Sequence, residues 1–249
     1  MPDATLTLPF VSVPIYSLAL ALGIALSVAI GVRRTNVRTG ALLDVCLGAA
    51  AGGVVGGRIG HVLLNWAYFA DNLSEALRPG AGGLDWHGAL LGGLVGLALV
   101  ARWKRLNTHD LLDALTPALP LLALAGWLGC WAAVCGYGAE VDTLAHYPAF
   151  AAAETRDVYG IIAPRYSTQV FGMVLALGLL ALSVVITRRG WLAGRRFWLL
   201  LMALSIGMFV IGFWRGDASP LAAGIRVDQG LDGGIVVISC WLLVFSKNQ

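Results

Sequence analysis

The segment STQVFGMVLALGLLALSVVIT, residues 167–187, carries no charged side chain and runs directly into Arg188-Arg189. An α-helix needs about 20 consecutive apolar residues to cross ~30 Å of hydrocarbon. This segment therefore reads as a membrane span that stops at a basic, water-facing edge. Outward from it, six further runs share its character, at roughly 12–32, 41–64, 86–103, 111–134, 196–214 and 233–246. The whole chain agrees: its 249 residues are 58% apolar and 12% charged, where soluble domains average about 45–50% and about 25%. The mean hydropathy is +0.79. Intrinsic disorder, a coiled coil, collagen and a disulfide-stapled miniprotein are excluded. A net charge of +3 is too small for a soluble nucleic-acid binder. The fold class expected is an all-α, polytopic membrane helix bundle of about seven spans.

The connections between spans alternate in charge. Arg33, Arg34 and Arg38 follow the first span; Arg102, Lys104 and Arg105 follow the third; Arg188, Arg189, Arg195 and Arg196 follow the fifth; Lys247 follows the last. The opposite edge holds Arg78, Arg156, Arg165, Arg215 and Arg226 together with most of the acids. The positive-inside rule then puts the N-terminus outside and the C-terminus in the cytoplasm. The opening MPDATLTLPFVSVP lacks a basic leader and feeds a full-length span, so no cleavable signal peptide is expected. No lipidation signal of the chain's own is visible. No internal repeat is apparent, and residues 1–249 are read as one transmembrane unit.

Glycine clusters inside the spans, as at Gly52-Gly53, Gly56-Gly57-Arg58-Ile59-Gly60 and Gly88-Ala89-Leu90-Leu91-Gly92-Gly93. In lipid, small residues mark where helix backbones approach closely. Pro117 and Pro120 predict a kink in the fourth span. The four cysteines show no zinc-type spacing, and neither a metal nor a cofactor is called for. Cys46 and Cys240 read as small packing residues. Cys130 and Cys135 lie at the outer end of the fourth span, where oxidation is chemically permitted. On a continuous helix they point ~140° apart. A disulfide requires the helix to end there, which Gly136 and Gly138 allow; packing is the reading preferred.

Ionisable groups at membrane depth are costly and mark candidate sites. Arg58, among glycines in the second span, calls for either an internal partner or an anion such as a lipid phosphate. His87 opens the third span and suits a general base near neutrality. Tyr16 begins the first span as an interfacial aromatic. Arg165, Ser167 and Gln169 enter the fifth span from outside. Arg215 and Asp217 leave the sixth, and Asp228 and Gln229 are placed in the outer loop beyond. All of these fall in the outer half of the membrane.

Five motifs in register carry a resemblance over nearly the whole chain: GGRIG at 56–60, GGLDWHG at 82–88, PALP at 117–120, PRYSTQ at 164–169 and FWRGD at 213–217. In order and spacing, and in the seven spans, the sequence resembles the bacterial prolipoprotein diacylglyceryl transferase family. The resemblance implies a bacterial plasma-membrane protein that moves a diacylglyceryl group from phosphatidylglycerol to the thiol of a lipobox cysteine in a secreted prolipoprotein. It implies a lipid-admitting cavity, cations for the departing glycerol phosphate and a base for the thiol. Tyr16, Arg58, His87, Arg165 and Gln169 match its motif positions, with His87 and Tyr16 as the catalytic candidates. Arg215, Asp217 and Gln229 match more loosely; Arg58, Arg165 and Arg215 are the candidates for phosphate. A segment from about 136 to 166 corresponds to the family's outer arm.

The sequence also departs from the family. The signature Gly-Arg-x-Gly-Asn-Phe-x-Asn-x-Glu-x-x-Gly becomes GWLGCWAAVCGYG at 126–138. Its arginine is Trp127, its asparagines are Cys130 and Ala133, and its glutamate is Cys135. A second arginine and glutamate of the family fall at Met208 and Gly212. Three readings follow: a transferase with a rearranged site, a non-catalytic lipid-binding relative within a membrane complex, and a thiol redox protein using Cys130 and Cys135.

Overall fold

The computed structural model describes residues 5–8, 11–78 and 83–245. Gly82 of the 82–88 motif and the terminal Lys247 lie outside them. A short hairpin of β1 (Thr5–Leu8) and β2 (Val11–Pro14) leads into the helices. Among the described residues, six helices are long and apolar enough to span: α1 (Ile15–Arg34), α2 (Thr39–Leu64), α5 (Trp86–Trp103), α8 (Thr168–Arg188), α9 (Arg196–Ile211, continued by a 3-10 turn to Trp214) and α10 (Val227–Phe245). The seventh crossing is a broken one. α6 (Thr108–Ala114) and α7 (Ala118–Ala133) meet at a 50° bend. Pro117 stands at that break, where its missing amide cannot continue the ladder. The chain is a multi-pass, all-α membrane protein. Two single-turn helices, α3 (Trp66–Phe69) and α4 (Leu73–Ala76), join α2 to α5 on the outer side.

Helix ends are written locally. Asp85 caps α5 by accepting the Gly88 amide at 2.6 Å. Asn107 caps α6 by accepting from His109 and Asp110. The last turns of α1, α5 and α8 carry Arg33, Arg34, Arg102 and Arg188, which complement the negative helix end.

Packing of the second and third crossings is set by the absence of side chains. α2 and α5 run antiparallel with Gly48 facing Gly96, Gly52 facing Gly92, and Gly56 facing Gly88. At each pair a Cβ would overlap a backbone carbonyl of the other helix. Backbone touches backbone at all three pairs, over a little more than two turns, the geometry that small residues permit in lipid. α1 packs on α7, where Gly23 meets Ala125, and α9 packs on α10 and α8.

The apolar core is concentrated at the basic end. Leu42 and Val45 open α2, Leu97 and Ala101 close α5, Ile186 closes α8, and Phe197, Leu200, Leu201 and Leu204 begin α9; all pack with Leu111, Leu112 and Leu115. The outer half buries polar groups instead: Arg58, His87, Thr168, Gln169, Gln229 and Asp232. Outside the helices, β3 (Ala152–Arg156) pairs antiparallel with β4 (Ile162–Tyr166), with Ala153 opposite Arg165. A second hairpin, β5 (Leu221–Ala222) with β6 (Ile225–Arg226), precedes α10. Bridges at Gly138–Arg215 and Glu140–Arg165 tie these outer segments together.

Three sequence expectations are corrected. The last span begins at Val227 rather than 233, so Asp228 and Gln229 lie in the first turn of α10, not in a loop. Their polarity lowers local hydropathy, but Arg215 and Arg226 neutralise Asp228 and permit the helix. The first span begins at Ile15, because 11–14 is committed to the β1–β2 hairpin. Cys130 and Cys135 are joined by a disulfide, with Cα atoms 4.6 Å apart. The reason is that α7 stops: Val134 turns left-handed at φ 59°, and the Cys135 amide donates to the Cys130 carbonyl at 2.9 Å.

Candidate functional site

His87 sits two positions past the Asp85 cap and is 5% exposed. Its Nε2 lies 3.2 Å from Oδ1 of Asp232, which α10 brings in from 145 residues away. Its Nδ1 lies 3.6 Å from Oδ1 of Asp85 and is buried without a hydrogen bond among the described residues. With Nε2–H donated to Asp232, Nδ1 faces the Asp85 carboxylate, so two acids flank one imidazole. Burial pushes the Asp85 carboxyl up. The His87 ring and the Gly88 amide outweigh that and hold it below the usual carboxylate value.

Behind Asp232 stands a charged network. Arg215 leaves the turn after α9 and donates from Nε and a terminal nitrogen to both oxygens of Asp217, a bidentate pair. Its remaining nitrogen donates to Asp228 at 3.1 Å. Arg226 donates to Asp228 at 3.1 Å and to the Asp217 carbonyl at 2.9 Å. Burial works against the Arg215 charge, yet the Asp217 carboxylate, with Asp228 and Asp232, pushes its pKa further up. Asp228 lies one helical turn before Asp232 on α10, so this network adjoins the partner of His87.

The other two candidate phosphate cations are held by their own segments. Arg58, 8% exposed, donates to the carbonyls of Glu75, Ala76 and Gly83 and lies over the Phe69 ring at 5.2 Å. It gathers the loop between α2 and α5. Arg165, 4% exposed, donates to Glu140 at 2.7 Å and Asp157 at 3.1 Å, with Tyr137 under its guanidinium at 5.2 Å. Burial, then the Asp157 and Asp217 charges, push the Tyr137 phenol up.

The remaining candidates are spread around the same end. Tyr16 packs its ring against Gly129 of α7. Gln169 donates to the Cys135 carbonyl at 3.1 Å, and Thr168 to that of Gly136 at 2.6 Å, so α8 braces the disulfide turn. Gln229 donates to the Phe209 carbonyl at 3.0 Å and fills the space beside Gly212. The structure therefore pairs His87 with Asp232 and, one helical turn earlier on α10, Asp228 with Arg215, which also holds Asp217. Arg58, Arg165 and Tyr16 stand in separate contacts. Sequence reading missed the pairing of Asp232 with His87. Its signal is faint but present: Asp228 and Asp232 are one helical turn apart on an otherwise apolar span.

Comparison with known proteins decides the family. The family model described as prolipoprotein diacylglyceryl transferase matches residues 3–245. The chain belongs to the prolipoprotein diacylglyceryl transferase family. Among its relatives is the phosphatidylglycerol–prolipoprotein diacylglyceryl transferase of Clostridium novyi (strain NT), 28% identical over 196 residues, covering 77% of this chain and 75% of that one. The protein of the same name from Staphylococcus aureus (strain Newman) is 28% identical over 198 residues, covering 76% and 68%.

Set against the signature pattern of prolipoprotein diacylglyceryl transferases, the replaced positions are filled, not vacant. Trp127 is buried with its indole against Gly172 and Gly136. Two signature polar positions have become the two halves of the disulfide. Gly212 accommodates Gln229. The family scaffold is kept, while these positions carry packing and a covalent brace.

Proposed function

We propose that this family member transfers a diacylglyceryl group from phosphatidylglycerol to a lipobox cysteine thiol at the outer face of a bacterial plasma membrane. The observation that carries the reading is His87, buried at the outer end of a span, fixed by Asp232 through one ring nitrogen and unbonded at the other. The thiol proton passes to Nδ1 of His87. The thiolate sulfur then bonds to the glyceryl carbon that bears the phosphate ester. The carbon–oxygen bond breaks, and glycerol phosphate departs with the electron pair. Asp232 stabilises the imidazolium that results.

In this reading Arg215 is the cation for the phosphate, because α10 carries both its partner Asp228 and, one turn on, the Asp232 that holds His87. Arg58 and Arg165 are positioning residues that organise the loops on either side. Tyr16 and Gln169 shape the wall, and Gln229 and Asp217 hold α10 and Arg215 in place. Residues 1–249 act as one transmembrane unit, and the segment from about 136 to 166 is its outer arm, covering the site.

The test is complementation in cells depleted of their own transferase, following prolipoprotein processing. With Trp127, Cys130 and Cys135 replacing signature polar groups, rescue is expected to be weaker than that by a signature-bearing relative, and lost with His87→Ala. A folded wild-type protein that processes no prolipoprotein refutes the transferase reading. The disulfide and Trp127 would then favour a lipid-binding relative without catalysis.

A further inference from the structure

At the cytoplasmic end, far from His87, the ends of α1, α6, α8 and α9 surround a cavity of about 610 Å³ whose walls include Arg34, Asn36, Asp110, Asp113, Thr187 and Arg196. Two of its charges are already used. Asp113 accepts from the Gly194 and Arg196 amides, capping α9, and lies 3.7 Å from the Arg196 guanidinium. Arg196 also donates through Nε to the Trp191 carbonyl at 2.9 Å.

The other two are not. Arg34 donates only to the Thr187 hydroxyl, at 3.3 Å, and meets no carboxylate among the described residues. Arg196 lines the same cavity, but its charge is taken up by Asp113, so Arg34 is the open cation there. Asp110, exposed in the first turn of α6, has its backbone amide capped by Asn107, while its carboxylate meets no cation among the described residues. One cavity thus presents an unneutralised guanidinium and an unneutralised carboxylate that do not reach each other. It sits where the spans end in arginine, the level of the inner lipid headgroups.

A ligand that satisfies both walls carries an anion and a cation a few bonds apart. We propose that the cavity binds a phosphoethanolamine headgroup, its phosphate on Arg34 and its ammonium on Asp110. A guanidinium matches phosphate oxygens in charge and in fork geometry. The primary ammonium supplies N–H donors that a trimethylated amine lacks. The site is independent of the proposed transfer chemistry.

The test uses the full-length protein, delipidated in detergent, with lipid retention read by native mass spectrometry. Phosphatidylethanolamine, phosphatidylcholine and phosphatidylglycerol are the probes, and soluble O-phosphoethanolamine is the competitor. Phosphatidylethanolamine is expected to be retained at least about tenfold better than the other two, the worth of one charge-assisted hydrogen bond. Asp110→Asn, at an exposed position that tolerates exchange, is expected to erase that preference while phosphatidylglycerol retention stays unchanged. Arg34→Gln is expected to weaken all three. Displacement by soluble O-phosphoethanolamine identifies the headgroup alone as sufficient; retention that resists it, yet depends on both residues, identifies the lipid as the source. Equal retention of the three lipids, or a preference unmoved by Asp110→Asn, overturns the proposal.

Discussion

Replacing Gly92 by alanine adds a single methyl group where α5 lies backbone to backbone on α2. The new Cβ overlaps the Gly52 carbonyl oxygen and stands 2.9 Å from Gly56 Cα, whereas carbons attract at about 3.5–4.0 Å. Relief requires the helices to part by about 1 Å, since neither partner is a side chain that can rotate away. A gap of that size forfeits about a quarter to a half of each dispersion well it opens. Overpacking costs about 1–3 kcal/mol, and contact between rigid backbones puts this case near the top. Alanine returns about 1 kcal/mol in helix propensity, leaving a net loss of about 2 kcal/mol. For a chain of this size that lowers the melting midpoint by about 4–8 °C, read by circular dichroism in detergent. Gly178→Ala on α8 is the control, because a Cβ there meets nothing within 4 Å; its midpoint should hold or rise. A Gly92→Ala protein as stable as the Gly178→Ala protein refutes the close-packed reading of α2 and α5.

The other predictions address the outer end. Loss of the proposed base in His87→Ala should cut prolipoprotein processing by roughly 10²–10⁴-fold, and Asp232→Asn should shift its pH profile while the protein stays folded; an unchanged rate in His87→Ala removes the imidazole from the chemistry. Outer-face thiol labelling should reach Cys130 and Cys135 only after reductant, because the pair is bonded; equal labelling with and without reductant contradicts the disulfide. Asp85 is held below its ordinary value in the folded protein, so its contribution to stability is present above about pH 4 and is lost as pH falls through the folded value. Asn at 85 keeps the helix cap, so the wild-type advantage in melting midpoint over Asp85→Asn should be full at pH 7 and shrink below pH 4; an advantage that does not vary with pH assigns it to something other than this charge.

The sequence by itself determined the repeated apolar crossings, the break near Pro117 and the gathering of the polar residues at one end of the bundle. These are one-dimensional properties: a span is judged by its own hydropathy against lipid, and a loop by its own arginines. The glycine runs also announced close packing, although not which helix would receive them. What only the tertiary structure decided were pairings across distance. Asp232 looks like one more acid at the water-facing edge until α10 takes it in and α5 sets His87 against it. Asp228 and Gln229 look like loop until Arg215 and Arg226 meet them. Cys130 and Cys135 look like packing residues on opposite helix faces until Val134 takes a left-handed conformation and brings them together. Arg58 and Arg165 look alike as membrane-depth cations, yet one is saturated by carbonyls and the other by carboxylates. In each case the desolvation of a polar group is offset by a partner that is remote along the chain, and no local pattern encodes the identity of that partner.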